Sequence, residues 1–333
     1  MEFKEYRFDE VTINFDKKRV PISGAQRKKR QGKYRYYGAQ GIIDYIDDFI
    51  FDGTYLLIAE DGENLKSQKQ KIAQVVDGQF WVNNHAHIVQ GNELCDTRYL
   101  CYLLNSMDLS GYITGSAQPK LSQANLNSLI LHLPSISEQR TIVEYLYMFD
   151  KKISVNQQIN DNLEQQALAF FKQFFMDYAP YGGIAPTDWN EVSLDDVCFK
   201  ITDGSHYSPA DSPDSPYPMY SVKDMETYGF NPSSCKHITE EEFHKMQKND
   251  CVPLLNDILV AKDGSYLKEI FICSEQKDEA ILSSIAIFRP NTDIIIPEIL
   301  LYLLKQPTVR RDVGDNYVSG SALPRIVLKD FKK

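Results

Sequence analysis

The sequence YITGSAQPKL at residues 112–121 returns as YVSGSALPRI at residues 317–326, 205 positions later. Both copies place Gly-Ser ahead of a proline and end on a basic and then an aliphatic residue. Three weaker matches occur in the same order along the chain, with spacings of 186, 202 and 200 residues: 8–11 with 194–197, 57–62 with 259–264, and 102–104 with 302–304. Spacings that drift in this way are typical of a duplicated domain with loop insertions.

Residues 135–179 separate the two copies and have a helical pattern. Ser135 and Glu138 form a capping box, in which each side chain can satisfy a backbone N–H at the start of a helix. Asp150 is placed to cap a second, longer helix. That helix carries an apolar stripe at helical spacing, formed by Ile153, Ile159, Leu163, Ala167, Phe170 and Phe174. We expect the stripe to dock a partner, and the alternative is a helix that packs on its own domain.

Each copy has the pattern of a domain that mixes strands and helices. Four short apolar runs predict strands: residues 55–59, 80–82, 257–261 and 281–288. Short helices are predicted at residues 99–104 and 297–304, and Thr239 opens a third through a capping box. The predicted fold class is therefore α+β, with similar domains at 1–134 and 180–333 joined by the helical segment 135–179.

Composition excludes several classes of protein. The 333 residues correspond to about two domains, and 43% hydrophobic with 25% charged residues is an ordinary globular balance. The net charge of −10 argues against a wholly basic nucleic-acid coat. The six cysteines form no Cys-x-x-Cys pair, so reduced thiols are expected rather than a zinc ribbon or a disulfide framework. Without an apolar run of about 20 residues or an N-terminal signal core, we expect a soluble, cytoplasmic protein.

Several motifs in combination resemble the specificity (S) subunit of type I restriction–modification enzymes. In chain order they are GKYRYYGA at 32–39, Asp52-Gly53, Asp61-Gly62, residues 81–87, GSAQPK at 115–120, and Glu138-Gln139 at the start of a helix. The second copy matches more loosely, through Trp189, Gly204, residues 257–259 and residues 320–325. The resemblance covers nearly the whole chain.

The resemblance implies two target-recognition domains that each read one half of a split DNA sequence, with the helical segment as a spacer. It implies a non-catalytic chain that brings methylation (M) subunits, and through them restriction (R) subunits, to DNA. S-adenosylmethionine, ATP and Mg²⁺ would belong to those partners. The family normally has a second helical segment after the second domain, but only 13 residues follow Gly320. We therefore expect that segment to be missing and the stripe to recruit another chain, either a second copy or a methylation subunit.

The first domain has a basic segment that suits DNA. Residues 1–36 hold 11 basic and five acidic side chains, a net of +6 within a chain of net −10, and such segregation is expected of an electrostatic DNA footprint. The predicted DNA contacts are the basic residues of this segment with the aromatic and amide groups beside them: Lys17, Lys18, Arg19, Arg27, Lys28, Lys29, Arg30, Lys33, Tyr34, Arg35, Tyr36, Tyr37 and Gln40. The alternative is a solvated loop.

The repeated Gly-Ser turn can present backbone N–H groups and one cation to a phosphate, or it can serve only to close a sheet. The DNA contacts predicted at the two turns are Gln118, Lys120 and Arg325. Residues 180–333 carry 16 basic and 24 acidic side chains, a net of −8, so a DNA-facing surface there must be local. Its predicted contacts are His206, Lys223, Lys262 and Lys268.

Other chemistry has weaker support. His85 and His87 have the spacing of two metal ligands on one strand face, but no third ligand accompanies them, so a structural role is favoured and no metal site is predicted. Asp263, Glu275 and Lys277 loosely fit a metal-dependent nuclease, without the proline that should precede Asp263. The sequence has no Gly-x-x-x-x-Gly-Lys phosphate loop and no methyltransferase motif. No catalytic residue is predicted.

Two functions remain open. The first is a subunit that reads DNA sequence, which the basic segment favours. The second is a truncated S-like assembly or decoy protein that binds methylation subunits without productive DNA targeting, which the missing distal segment favours.

Overall fold

The computed structural model describes residues 2–67, 70–115, 118–320 and 323–332. The chain divides into two compact units, Met1–Asn156 and Gln157–Lys333, and the boundary lies within the predicted helical segment. Within the described residues, no helix is both long enough and apolar enough to cross a membrane.

The first unit combines a six-stranded mixed sheet and a separate two-stranded antiparallel pair with short helices. Its elements in chain order are β1 (Lys4–Arg7), α1 (Phe8–Val11), β2 (Thr12–Asn14), α2 (Gly24–Arg27), β3 (Gln31–Gly38), β4 (Gly41–Ile46), β5 (Phe51–Ala59), α3 (Asn64–Ser67), β6 (Ala73–Val82), β7 (Ala86–Gly91), α4 (Thr97–Ser106), α5 (Gln123–Asn127) and β8 (Ile130–Leu133). Single 3-10 turns occur at Asp16–Lys18 and Ser110–Tyr112.

The main sheet of the first unit has six strands in the order β2-β7-β5-β6-β3-β4. All neighbouring strands are antiparallel except β3 and β6, which are parallel, and β1 pairs separately with β8. The predicted strands at 55–59 and 80–82 form the ends of β5 and β6. Leu56 and Ile58 of β5 are buried against Leu100 and Leu104 of α4, so the core lies between this helix and the sheet.

A single long helix, α6 (Ile136–Phe175), follows the first unit's strands. It begins as predicted: the Glu138 backbone N–H donates to Ser135 Oγ at 3.4 Å, and the Ser135 N–H donates to Glu138 Oε2 at 3.0 Å. The prediction that Asp150 caps a second helix is wrong. No glycine or proline interrupts residues 136–175, so the helix continues, and the Asp150 carboxylate instead accepts a hydrogen bond from the Tyr102 hydroxyl at 2.7 Å.

Gln139 ties the start of α6 to the domain beneath it. Its side chain is fully buried, and its Nε2 donates to the carbonyls of Leu94 and Pro134, both at 2.9 Å. Its Oε1 accepts the Asp96 backbone N–H at 2.9 Å. One amide thus bonds three backbone groups, in contacts that are buried at Pro134 and partly buried at Leu94 and Asp96.

We expect Gln139→Leu to lower the free energy of unfolding of the first unit by about 2 kcal/mol, because one buried and two partly buried backbone groups lose their partner. The change is measured by urea unfolding, followed through the fluorescence of Trp81 in a W189F background that leaves it the sole tryptophan. Gln165→Leu, at an exposed position of the same helix, is the matched control and should change stability little. Equal effects of the two variants would contradict the anchoring role of Gln139.

The second unit repeats the sheet of the first. Its elements are α7 (Leu194–Val197), β9 (Cys198–Asp203), β10 (Tyr217–Tyr220), β11 (Met225–Glu226), β12 (Gly229–Phe230), β13 (Lys236–Ile238), α8 (Glu240–Lys248), β14 (Ile258–Ala261), β15 (Ile270–Ile272), β16 (Ala280–Ile281), β17 (Ile285–Pro290), α9 (Pro297–Leu304), α10 (Pro307–Asn316), β18 (Val318–Ser319), β19 (Arg325–Ile326) and α11 (Leu328–Phe331). Its 3-10 turns are Ala179–Tyr181, Val222–Asp224 and Pro232–Ser234.

The duplication inferred from sequence is present in the topology. The four-stranded sheet β9-β17-β14-β15 has the order and antiparallel pairing of β2-β7-β5-β6. The helices predicted at 99–104, 240–246 and 297–304 are α4, α8 and α9. The single strand predicted at 281–288 is wrong, because Ile281 ends β16 beside β10 while Ile285 begins β17 in a different sheet. An uninterrupted apolar run does not show where a strand changes sheets.

Candidate nucleic-acid interface

Five lysines of the first unit point into solvent without a carboxylate partner among the described residues. Lys17 and Lys18 lie on the 3-10 turn before α2, Lys28 and Lys29 follow α2, and Lys33 lies in β3; all five are exposed. Two of them rest on aromatic rings: Lys18 Nζ lies 5.2 Å from the centroid of Phe15, and Lys33 Nζ lies 5.1 Å from that of Tyr34. We call these five residues the lysine cluster.

The arginines between these lysines have a different role. Arg27 Nε donates to Asp44 Oδ2 at 2.9 Å, its Nη1 donates to the Ile22 carbonyl at 2.7 Å, and its guanidinium covers the ring of Tyr36. Arg30 Nε donates to Asp47 Oδ1 at 2.9 Å, and its guanidinium covers the ring of Trp81. Their charge and donors are therefore largely used within the domain, so they position the loop that carries Lys28 and Lys29. Contact of Arg27 and Arg30 with DNA stays a prediction, beside this positioning role.

Arg19 is also committed to internal contacts, which corrects its prediction as a DNA contact. Its side chain is 15% exposed, and Nη1 lies 2.9 Å from Glu60 Oε2 and 2.8 Å from the Ala86 carbonyl oxygen. Burial would raise the pKa of Glu60, but the hydrogen bonds from Arg19 and Lys120 and the electrostatic effect of His87 outweigh it and hold that pKa below its ordinary value. Glu60 is thus ionised and paired at neutral pH.

His87 lies at the centre of this buried network. Its Nδ1 is 2.6 Å from Asp16 Oδ2 and its Nε2 is 2.9 Å from the Leu121 carbonyl oxygen. Burial would raise the pKa of Asp16, but hydrogen bonds from His87 and from the Ile88 backbone N–H lower it overall. His85 precedes β7 and is half exposed, with its Nδ1 2.7 Å from Asp61, so the two histidines do not share a strand face. The described residues contain no cluster of three potential metal ligands.

The aromatic residues predicted to contact DNA mostly belong to the core. Tyr36 is fully buried and its hydroxyl accepts the Ile22 backbone N–H at 2.9 Å, and Tyr37 is 4% exposed. Both predictions are therefore corrected, since buried rings cannot reach DNA. Tyr34 is half-buried against Phe49. Arg35, also half-buried, donates to the Asp77 carbonyl. Gln40 remains exposed.

The repeated turn closes against its sheet in the same way in both units. Thr114 and Lys120 exchange backbone hydrogen bonds, and the Gly62 N–H donates to the Pro119 carbonyl at 3.2 Å. The equivalent N–H of Gly264 donates to the Pro324 carbonyl at 2.7 Å. Gly115 and Gly320 have φ of +85° and +90°, a conformation that favours glycine. The Ser-Ala pairs of the two turns, residues 116–117 and 321–322, lie outside the described residues.

The charged ends of these turns are paired. Lys120 Nζ lies 3.3 Å from Glu60 Oε1 with 53% of its side chain exposed. Arg325 Nε lies 2.9 Å from Asp263 Oδ1 with 49% exposed. Both can still reach a ligand, and Gln118 is exposed beside Lys120. These contacts hold the turns against their sheets. Phosphate binding at the turns stays a prediction.

Three of the four DNA contacts predicted in the second unit lie beside a carboxylate. Lys262 is 3% exposed and its ammonium is paired with Asp203, so its prediction as a DNA contact is wrong. Lys268 is exposed but lies 3.3 Å from Glu269, and His206 is exposed with its Nε2 3.3 Å from Asp203. Lys223 is exposed, with no carboxylate partner among the described residues.

Sequence reasoning did not find the acids that decide which cations are free. Asp44 and Asp47 hold Arg27 and Arg30, while Asp16 and Glu60 hold Arg19. One signal was available: the repeat aligns Glu60 with Lys262, a reversal of charge at one position. Such a reversal indicates a paired interior site, because a surface contact to phosphate would favour the same sign in both copies.

The apolar stripe on α6 is exposed, as an unpartnered docking face would be. Five of its members have 42 to 60% of their surface accessible: Ile153, Ile159, Leu163, Phe170 and Phe174. Ala167 is half-buried and lines an apolar groove of about 340 Å³ with Phe170, Ile299 and Tyr302. What packs on the second unit is the neighbouring Phe171, which is 7% exposed.

A family model described as the type I restriction modification DNA specificity domain matches residues 1–165. A putative type I restriction enzyme specificity subunit of Haemophilus influenzae is 28% identical over 274 residues, 80% of this chain and 67% of that protein. The type I restriction enzyme EcoprrI specificity subunit of Escherichia coli is 32% identical over 125 residues, 38% of this chain and 30% of that protein.

Among solved structures, the S subunit of a type I restriction–modification system from M. genitalium aligns with a TM-score of 0.57. The alignment covers 95% of this chain and 80% of that one at 12% identity, so it concerns the fold alone. The predicted α+β architecture, two similar domains with a long helix between them in the chain, is confirmed.

Proposed function

We propose that this chain, a member of the family of type I restriction–modification specificity subunits, reads one half of a split DNA sequence with each of its two recognition domains. The observation that carries this proposal is the lysine cluster: five exposed ammonium groups without carboxylate partners among the described residues, on a segment of net +6 in a chain of net −10. Exposed, unpaired lysines are the groups that displace counterions from a DNA backbone.

Within the first domain, the lysines bind phosphates and the arginines hold the loop that presents them. Phosphate contacts fix register and orientation but carry no sequence information. Base edges must therefore be read by neighbouring amide or cationic side chains, of which Gln40 and Gln118 are exposed. In the second domain Lys223 and His206 are the contacts we propose, and with fewer residues they supply a smaller electrostatic share of the affinity.

The same proposal makes the chain a non-catalytic adaptor. Methylation subunits assemble on it, and restriction subunits join through them. S-adenosylmethionine, ATP and Mg²⁺ are then bound by those partners. Membership of the specificity-subunit family supports this division of labour, and the lysine cluster supplies the DNA contact that such an adaptor needs.

We expect K28Q/K29Q/K33Q to weaken DNA binding and to reduce the slope of log affinity against log salt by roughly 0.9 for each phosphate that the variant no longer neutralises. Arg27 and Arg30 are left intact, because their removal would also release the loop. Fluorescence anisotropy with a duplex of mixed sequence, over a series of salt concentrations, measures both quantities.

The matched control is K248Q/K277Q/K329Q, which makes the same change of charge at three exposed lysines of the second unit. It should leave the slope nearly unchanged. Equal slopes for the two triple variants would show that the lysine cluster is a solvated loop. A wild-type chain that assembles with a methylation subunit but binds no DNA at low salt would favour the decoy function instead.

A further inference from the structure

One edge of the main sheet in the first unit exposes large apolar side chains. The edge strand is β4, the last strand in the sheet order. Three of its six residues, Ile42, Ile43 and Tyr45, have 44, 50 and 48% of their surface accessible, and we call them the β4 patch. Single exposed apolar residues are common on protein surfaces. An edge strand that exposes three is a site for association, and proteins usually protect such strands with charge or cover.

Two ion pairs tie the lysine cluster to this strand. Arg27 Nε donates to Asp44 Oδ2 within β4, and Arg30 Nε donates to Asp47 Oδ1 just after it, both at 2.9 Å. The two lysines between these arginines in the sequence are therefore held next to β4 from both sides. Asp44 is two residues, about 7 Å along the strand, from Ile42. A ligand that binds the lysines thus comes close to the β4 patch.

Of the two isoleucines, Ile42 is the more available to a ligand. Ile43 has no partner in the register of β3 with β4, which shifts at this point. It lies over Gly38, where an added Cβ would be 3.1 Å from Ile43 Cγ2. Ile42 pairs with Tyr37, and Tyr45 pairs with the residue two positions earlier on β3. Residues two apart on a strand share a face, so Ile42 and Tyr45 form one continuous apolar surface.

We propose that Ile42 contacts the C5-methyl group of a thymine in the major groove, so that the half-site read by the first domain contains a T·A pair. This inference rests on the proposed DNA-reading function and adds a base to it. Among the groups that base pairs present in the major groove, the thymine methyl is the apolar one. Gln40, two residues before Ile42, exposes an amide of the kind that reads adenine, the partner of thymine.

The surroundings of the patch favour the major groove over other occupants. Lys33 and Arg35 lie on the neighbouring strand β3, and Arg35 is the residue that pairs with Tyr45, so cations flank the apolar surface as a polyanion requires. The major groove, about 12 Å wide, admits a two-stranded ribbon such as β3 with β4. The minor groove is only about 6 Å wide, and two paired backbones already lie about 4.8 Å apart before their side chains are counted.

Deoxyuridine tests the contact, because it differs from thymidine only by the missing methyl group. The probe is a duplex that carries the motif methylated by the chain with its methylation subunit, and each thymine of the motif is replaced in turn. We expect the assembled complex to bind one of these duplexes roughly 4-fold more weakly than the parent duplex, the ratio that corresponds to about 0.8 kcal/mol for one buried methyl-sized group. Fluorescence anisotropy measures the ratio.

Ile42→Ala should remove this sensitivity. The I42A complex should bind the parent duplex more weakly than wild type, with no further loss on the deoxyuridine duplex that wild type discriminates. Ile42→Val keeps a branched aliphatic side chain and should retain most of the discrimination. The matched control is Ile13→Ala, at a residue 49% exposed on β2, the opposite edge of the same sheet. I13A should discriminate the two duplexes as wild type does.

Three results overturn the thymine contact while leaving DNA reading intact: a motif without a T·A pair, wild-type affinity unchanged by every deoxyuridine, or equal discrimination by I42A and I13A. Failure of I42A alone to assemble with the methylation subunit also overturns it, since the β4 patch would then be a protein interface. A wild-type complex that neither binds nor methylates DNA rejects the DNA-reading function, and the thymine contact with it.

Discussion

Replacing Asp203 by leucine is expected to destabilise the second unit by about 3 kcal/mol or more, because it leaves the Lys262 ammonium buried without a counter-charge. Lys262 has 4% of its side chain exposed and Asp203 has 23%. His206, the other side chain near Asp203, carries no carboxylate and cannot replace the one that is lost.

Replacing Lys262, the other member of the pair, should lower the free energy of unfolding much less. Lys262→Met removes the buried charge, and the Asp203 carboxylate that remains is partly in water and within reach of His206. We therefore expect K262M to lower the free energy of unfolding of the second unit by about 1 kcal/mol or less. We expect the stability of D203L/K262M to resemble that of K262M rather than that of D203L, since replacing both members of a buried pair by apolar groups is often neutral.

Hydrogen–deuterium exchange of the full chain, read from peptides that contain β9 and β14, measures these differences where they arise. Lys268→Met removes an exposed lysine whose partner is Glu269 and serves as the control, because exposed ion pairs contribute at most about 1 kcal/mol. If the peptides of β9 and β14 exchange as slowly in D203L as in K262M, the Lys262–Asp203 pair does not control the stability of this unit.

The two units pair the equivalent aspartate with different partners. This difference explains why Lys262 was wrongly predicted from the sequence to contact DNA. Asp203 pairs with Ala286 across β9 and β17, and the equivalent neighbours in the first unit are Asp16 and His87. In the first unit the buried Asp16 carboxylate is hydrogen-bonded to a histidine of the neighbouring strand and paired with Arg19. The second has alanine there and supplies the cation from position 262 instead.

Much of the fold could be predicted because it depends on local pattern. The repeat fixed the duplication, the Ser135 box marked the start of α6, and Pro297 marked that of α9. The free cations could not be predicted in the same way. Whether an arginine faces DNA or the core depends on acids such as Glu60, 41 residues from Arg19, and no local pattern records that pairing. Arg27 and Arg30 have carboxylate partners, whereas Lys28 and Lys29 beside them have none among the described residues.

Expression of this chain with a type I methylation subunit in a methylation-free host is expected to add a new split motif of methylated bases to the host's DNA. The reason is that two recognition domains in one chain present two separate half-sites. Modification-sensitive sequencing of the host DNA reads the motif directly. K28Q/K29Q/K33Q should reduce methylation across the motif, because phosphate contacts support binding without specifying sequence, while K248Q/K277Q/K329Q should leave it intact.

The symmetry of the motif separates the possible assemblies. An asymmetric split motif means that both domains of one chain read DNA, whether or not a second copy is bound. A palindromic motif means that two chains each contribute the same domain. No new methylation from an assembled complex, with the lysine cluster intact, would count against the DNA-reading function and in favour of the decoy.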